Sequence, residues 1–414
     1  MSHNTVNRAY LFILPGLLMA MTGVGVGDLA TAGFTGAQLG TTVLWAILLG
    51  GLFKFFLTEG IARWQLASGT SVIQGSITHF KKPFMFFMAL YFIPWCWFVG
   101  GALINASGVA GKELALLMGF EVSKAQAGIF HSLLALVLLS LARQVMFNRL
   151  MSVLAVVLFA TVITCALYVP VNAVDILSGL FIPVIPSQPG ALSWTLALMG
   201  GVGGTLTIIC YGYWLANSER SGLAGLKTSR WDIAISYMLT CLFGIAMVII
   251  GSVAVQEGKG LSLLLSVSQY FSQTVHPAMG VCFLLGAWAA IFSSLLGVWQ
   301  AVPLIFADMM QGLKAQGLQS KPIPLKALPN TTPYKVGLLV LATVPMLSLL
   351  MSFKEIQKLY SLVGAFFMPI LALSLLWLNN KYVSREFKNG LWLNSALVVV
   401  FLFFVGASVY KWVA

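Results

Sequence analysis

The feature that most constrains this chain is a succession of apolar segments, most near 20 residues long, joined by short polar connections. A run of that length crosses the roughly 30 Å hydrocarbon core of a bilayer as a helix, because a helix satisfies its own backbone groups where no water is present. A barrel would show shorter strands of alternating polarity instead. Composition agrees: of 414 residues 59% are hydrophobic and 8% charged, where a soluble globule carries about a quarter charged. The expected fold class is an all-α polytopic membrane protein whose surroundings are the lipid bilayer. The net charge of +12 is assigned to membrane topology, and no nucleic-acid partner is expected. Cys96, Cys165, Cys210, Cys241 and Cys282 lie inside apolar runs without a CxxC pair, so neither a disulfide framework nor a zinc site is read. The first ten residues, MSHNTVNRAY, precede an apolar run too long for a cleavable signal.

Eleven spans are expected, at about 10–39, 41–64, 84–109, 126–142, 148–170, 192–215, 232–254, 279–302, 334–352, 358–378 and 391–411, all in one transmembrane domain. Counting Lys and Arg in the connections gives fifteen on the side of the N-terminus and six on the other, with Lys54 and Arg63 inside the second span. Arg143 and Lys321 are among the fifteen and Lys259 among the six. Basic residues gather on the cytoplasmic side, so the N-terminus is expected inside a cell (inner) membrane and the C-terminus outside. The stretch Met309–Pro333, with Lys314, Lys321, Lys326 and four prolines, is expected as a solvated loop.

The first span is interrupted. TGVGVGDLATAGFTGAQL (Thr22–Leu39) places Gly23, Gly25 and Gly27 ahead of the carboxylate Asp28 at membrane depth. Glycine costs roughly 1 kcal/mol against alanine inside a helix, so the helix is expected to unwind here. Asp28 then sits at the positive end of the second half-helix, and a carboxylate at that depth marks a functional site. The sixth span repeats the device: LMGGVGGTLTIICYGYW (Leu198–Trp214) has four glycines in five positions before Thr205, Thr207, Cys210, Tyr211 and Tyr213. Two interrupted helices five spans apart indicate a transporter of two inverted repeats with its site at the midplane. The repeats are expected at about 10–170 and 192–378, with 391–411 as an extra helix.

Several stretches carry a resemblance: GDLATAGFTGAQLGTTVLWAILLG (Gly27–Gly50), LTEGIARWQLASGTSVIQG (Leu57–Gly75), the span that begins at Asp232, the serines of Ile291–Leu296, and AFFMPILALSLLWLNNK (Ala365–Lys381). Together they resemble the Nramp family of proton-coupled divalent metal importers, which have the LeuT-type fold. The resemblance implies a 5+5 inverted repeat with discontinuous first and sixth helices. The family's Asp-Pro-Gly-Asn metal-binding signature falls on Gly25-Val26-Gly27-Asp28, so the carboxylate has moved by about one turn. Its Met-Pro-His falls on Ile208-Ile209-Cys210, without a thioether. Its acidic pair in the third span falls near Ala102 and Asn105, a departure from the family's usual proton route.

The expected substrate site comprises Asp28, Gly25, Gly204, Thr205, Thr207, Cys210 and Tyr211. Oxygen ligands with waters suit a hard, partly hydrated cation of the Mg²⁺ or Mn²⁺ kind, whereas thiolate or thioether selects softer metals. Proton or gating candidates are Lys54, Glu59, Arg63, Asn105 and His131. Glu59 and Arg63 stand at i,i+4, the spacing of an ion pair within one helix, Lys54, one turn before Thr58, is a candidate partner of Asp28 or Glu59, and His131 has the chemistry of a proton shuttle. The divalent cation is cargo, and no cofactor is expected. The alternative cargo is a small organic or zwitterionic solute, which a Lys–Asp pair would suit. A monomer is expected, and no Walker loop, HExxH or Gly-x-Ser-x-Gly is present to suggest an enzyme.

Overall fold

Glycine and proline decide where the helices of this chain stop. The computed structural model describes residues 3–141, 144–253, 262–318, 323–351 and 353–413; Arg143, Lys259 and Lys321 of the charge balance lie outside them. The described residues form sixteen α-helices: α1 (His3–Gly23), α2 (Val26–Leu39), α3 (Trp45–Ser68), α4 (Val72–Leu117), α5 (Lys124–Leu141), α6 (Gln144–Leu167), α7 (Ala173–Phe181), α8 (Ala191–Gly201), α9 (Cys210–Ala216), α10 (Gly222–Ser252), α11 (Ser262–Thr274), α12 (Pro277–Leu318), α13 (Thr332–Thr343), α14 (Phe353–Ala365), α15 (Phe367–Lys381) and α16 (Leu391–Val413). The described residues include no strand.

Each of the eleven expected spans is helical. Among the described residues, eight helices are long and apolar enough to cross a membrane, or nine if the pair α1–α2, bent by 58°, counts as one. The other two segments fall short of that length for local reasons. α14 and α15 part at Phe366, because Pro369 has no N–H to give to the Ala365 carbonyl. The described apolar part of α16 is Leu391–Ala407. Pro345 likewise turns the end of the ninth span into a 3-10 segment, Val344–Leu350.

Three expectations are corrected. The loop from Met309 is helical as far as Leu318, because α12 continues beyond the apolar run. α10 begins ten residues before Asp232, at Gly222. α7 and α11 were not foreseen: each is short and amphipathic, and neither has the length of a span.

α10 and α12 form the centre, and α1 lies against both. In the crossing part of α12, 78% of residues are buried. α2 packs along α10, where Gly36 and Gly251 bring the two backbones together: a Cβ at Gly36 would collide with the Val248 carbonyl, and one at Gly251 with that of Gly33. α16 lies outside on α3 and α15, with Phe53 against Phe403 at 5.1 Å between ring centres.

Candidate functional site

The two glycine-rich breaks meet back to back. α1 stops at Gly23 and α2 starts at Val26; α8 stops at Gly201, and the chain runs through Gly203 and Gly204, at φ +78° and +82°, before the 3-10 segment Leu206–Ile209 and α9. Those positive angles favour glycine. Contact supplies the second reason: a Cβ on Gly23 would lie 2.8 Å from the Gly203 carbonyl carbon, and one on Gly203 would lie 2.9 Å from the Tyr237 ring.

Breaking a helix orphans its last carbonyls. Here the serines of α12 take them: Ser294 Oγ donates to the Thr22 carbonyl at 2.8 Å and Ser293 Oγ to that of Met21 at 3.4 Å. A Cβ on Gly25 would collide with the Ser294 side chain. The Ser-rich stretch of the eighth span is thus part of the break in the first.

Asp28, in the first turn of α2, is 2% exposed. Its Oδ1 accepts from the Gly203 N–H at 3.0 Å, so a carboxylate of one broken helix binds the unwound backbone of the other. Its Oδ2 is buried and has no protein partner. A buried carboxylate oxygen left without a donor is costly, and an incoming cation or donor would relieve that cost. Tyr360 of α14 approaches from another side, 3.6 Å from a Cβ placed on Gly27.

Lys54 on α3 is fully buried and does not pair with Asp28. Its ammonium donates to the Gly200 carbonyl at 2.8 Å and to the Val202 carbonyl, the freed end of α8. Among the described residues no ion pair links it to Asp28 or Glu59. Lys54 is thus a resident cation in the carbonyl cradle of the second break.

The remaining predicted residues divide. Gly204 lies against Gly23 and Thr207, while Thr205 Oγ1 accepts from Trp95 Nε1 at 3.1 Å. Cys210 is buried at the start of α9. The Tyr211 hydroxyl donates to Asp232 Oδ2 at 3.0 Å, in a cluster with Arg220. Glu59 accepts from Arg63 at 2.6 Å and from Arg230 at 2.9 Å, and Arg63 also donates to the Phe387 and Lys388 carbonyls. The pair therefore fastens α3 to α10 and to the turn after α15. Asn105 donates to the Gly101 carbonyl and to Ser348 and accepts from Lys124 at 2.8 Å, so it joins α4, α5 and the 3-10 segment before α14.

His131 is engaged at both ring nitrogens. Trp288 Nε1 can only donate, and it meets His131 Nε2 at 2.9 Å, while Nδ1 lies 2.7 Å from the Ala127 carbonyl. The ring is therefore held as the neutral Nδ1–H tautomer, and an imidazolium would face an N–H with an N–H.

Two further carboxylates went unread as site residues. Asp232 on α10 takes the Gly16 N–H at 3.0 and 3.1 Å, the Tyr211 hydroxyl, and Arg220 at 2.9 Å. Arg220 also donates to the Phe12 carbonyl, the ordinary helical partner of Gly16. Pro15 disturbs that turn, and the ion pair satisfies the groups it frees. Asp308 on α12 accepts from Ser71, Tyr213 and Gln74. The sequence signal was Pro15 within the first span and the pair Tyr211-x-Tyr213, which puts hydroxyls on opposite faces of α9.

A family model described as natural resistance-associated macrophage protein-like matches residues 16–414. The chain belongs to the Nramp family. This is a family of membrane transporters rather than enzymes, and the chain is a multi-pass membrane protein. It is 24% identical over 300 residues to the divalent metal cation transporter MntH of Bacillus subtilis, covering 68% of this chain and 67% of that one. It is 24% identical over 293 residues to MntH of Mesorhizobium japonicum, covering 66% and 61%. The match thus spans about two thirds of these relatives' length. The manganese transporter of Eremococcus coleocola, solved with an aromatic bis-isothiourea compound, superposes with a TM-score of 0.73 at 16% identity over 98% of this chain and 87% of that one. Mhp1, a nucleobase-cation-symport-1 transporter in a closed conformation, superposes with 0.63 at 13% identity over 96% and 92%. The fold is the LeuT-type inverted repeat with discontinuous first and sixth helices.

Proposed function

We propose that this Nramp-family chain imports a divalent metal cation, partly hydrated and of the Mg²⁺ or Mn²⁺ kind, by alternating access. The observation that carries the reading is Asp28 Oδ2, a buried carboxylate oxygen without a protein partner at the meeting of two broken helices. Among the described residues no three His, Cys, Asp or Glu side chains converge, so one carboxylate, backbone carbonyls around Gly25 and Gly204, Thr207 and retained waters would make up the ligand set. Such a set suits a hard cation. The names of the Bacillus and Mesorhizobium relatives and of the Eremococcus structure favour the same cargo.

The reading includes an N-terminus in the cytoplasm and a C-terminus outside, repeats at about 10–170 and 192–378, a monomer, and transport coupled to protons. Purified protein in proteoliposomes is expected to show saturable Mn²⁺ uptake, and Asp28→Ala to reduce it to the level of empty vesicles. Uptake unchanged by that substitution would overturn the reading.

Lys54 favours a second reading. A resident ammonium beside Asp28 opposes a dication and suits a small zwitterionic solute whose carboxylate meets backbone amides of the breaks. Saturable uptake of an amino acid, with none of Mn²⁺, would decide for it.

A further inference from the structure

α9 is the short inner half of the second broken helix, and three side chains tie it to the centre of the bundle. Tyr211 donates to Asp232, Tyr213 to Asp308 at 2.7 Å, and Trp214 Nε1 to Gln300 at 3.0 Å. The two carboxylates differ in one respect. Asp232 is paired with Arg220 at 2.9 Å. Asp308 is fully buried on α12, and no Lys, Arg or His among the described residues lies within 4.0 Å of it. Its partners are all neutral: Tyr213 and Ser71 donate to Oδ2, and Gln74 Nε2 donates to Oδ1 at 2.6 Å. The titratable groups facing it are Tyr213 and, next to that ring, Cys210, both on α9; α4 contributes only Ser71 and Gln74.

Three donors converge on one carboxyl group, and an ionised carboxylate accepts all three without contributing a hydrogen. A proton on Oδ2, which already takes both Ser71 and Tyr213, adds an O–H there and displaces one of those two donors. The remaining donors then lose the strength of a bond to a charged acceptor. Ser71 and Gln74 are fixed to each other, since Ser71 Oγ caps α4 by accepting the Gln74 N–H at 2.9 Å. The Tyr213 hydroxyl is the contact that crosses to the interrupted helix.

We propose that Asp308 is a proton-binding site of the transport cycle: a proton taken up from water onto its carboxylate loosens Tyr213 and so frees α9 to move. Tyr213 keeps its own proton throughout, and the only covalent bond made is O–H on Asp308. Asp232, charge-paired with Arg220, keeps its tether when Asp308 lets go. The chain thereby carries a proton station without the acidic pair that is replaced near Ala102 and Asn105. The proposal depends on the transport reading above in taking α9 to be a moving part.

Cys210, buried next to Tyr213, gives a readout that needs no cargo. In full-length protein whose other four cysteines are alanine, reconstituted in nanodiscs, alkylation of Cys210 by N-ethylmaleimide is measured at mildly acidic and mildly alkaline pH, each normalised to the unfolded chain. Acid is expected to raise the normalised rate by about tenfold, the worth of one charge-assisted bond. Asp308→Asn, which resembles the protonated acid, is expected to react at the fast rate at both pH values. Tyr213→Phe keeps the carboxylate and is expected to do the same, which guards against misfolding of the first variant. Asp232→Asn is expected to retain the pH response. A pH response that survives Asp308→Asn, or a wild-type rate that does not rise in acid, overturns the proposal whether or not Mn²⁺ is carried. A response that follows Asp308 in a protein that carries no Mn²⁺ supports the proton site and removes the metal reading instead.

Discussion

At the scale of single residues, Asp28 and Lys54 divide the polar work of the breaks between them. Asp28 spends one oxygen on Gly203 and keeps the other, while Lys54 closes the end of α8 by holding the Gly200 and Val202 carbonyls. Lys54→Met would fill the same volume and leave both carbonyls without that donor. Thermal unfolding in detergent is expected to show a loss of about 2 kcal/mol or more, the cost of orphaned buried acceptors; an unchanged midpoint would mean that water replaces the ammonium. Asp28 was legible because a carboxylate after Gly-x-Gly-x-Gly has no ordinary reason to lie in a membrane. Lys54 was visible, but its partners were not, since they are main-chain carbonyls 146 and 148 positions away. The bond from Tyr211 to Asp232 was not legible, because hydroxyl-bearing residues near a break look alike until the helix face they occupy is known.

At the scale of elements, both interruptions use glycine for contact as well as for conformation. Gly203 and Gly200 offer a comparison within one segment. Gly203→Ala would force a Cβ onto φ +78° and into the Tyr237 ring, whereas a Cβ at Gly200 meets nothing within 4 Å. Gly203→Ala is expected to abolish uptake and lower the melting temperature, and Gly200→Ala to leave uptake intact and gain up to about 1 kcal/mol; equal effects would remove contact as the cause. A second joint sits where α4 begins. His79 stacks on Tyr382 with ring centres 3.6 Å apart and meets Trp64 edge-on. Burial, and then the nearby Lys381, hold its pKa below the ordinary histidine range. The folded chain therefore binds this proton less readily than the unfolded one, so the contribution is present at neutral pH and is lost as pH falls through the ordinary histidine range. His79→Phe is expected to flatten that part of the stability profile, measured by thermal unfolding across pH. The long spans were readable because hydropathy alone determines them. α7, α11 and the helical extension of α12 were not, because they lie outside the lipid-length runs and owe their form to packing.

At the scale of the whole molecule, the order of breaks and spans was legible from periodicity and glycine content. The charge balance that assigns an orientation is a property of the connections rather than of the packed bundle. A reporter active only in the cytoplasm, fused at the C-terminus, is expected to be silent, and a periplasmic reporter to be active; the reverse result would invert the assignment. Asp232, Glu59 and Asn105 fasten neighbouring helices through buried polar contacts at three separate places. The breaks have no such fastening between them beyond one carboxylate and one amide. Gly23 and Gly203 touch through bare backbone, so at the breaks themselves the two interrupted helices meet with no side chain to cushion them. A tilt of either helix would carry Asp28 and the Gly203 amide with it, so under the proposed function holding a passenger and letting it go are two positions of the same lever.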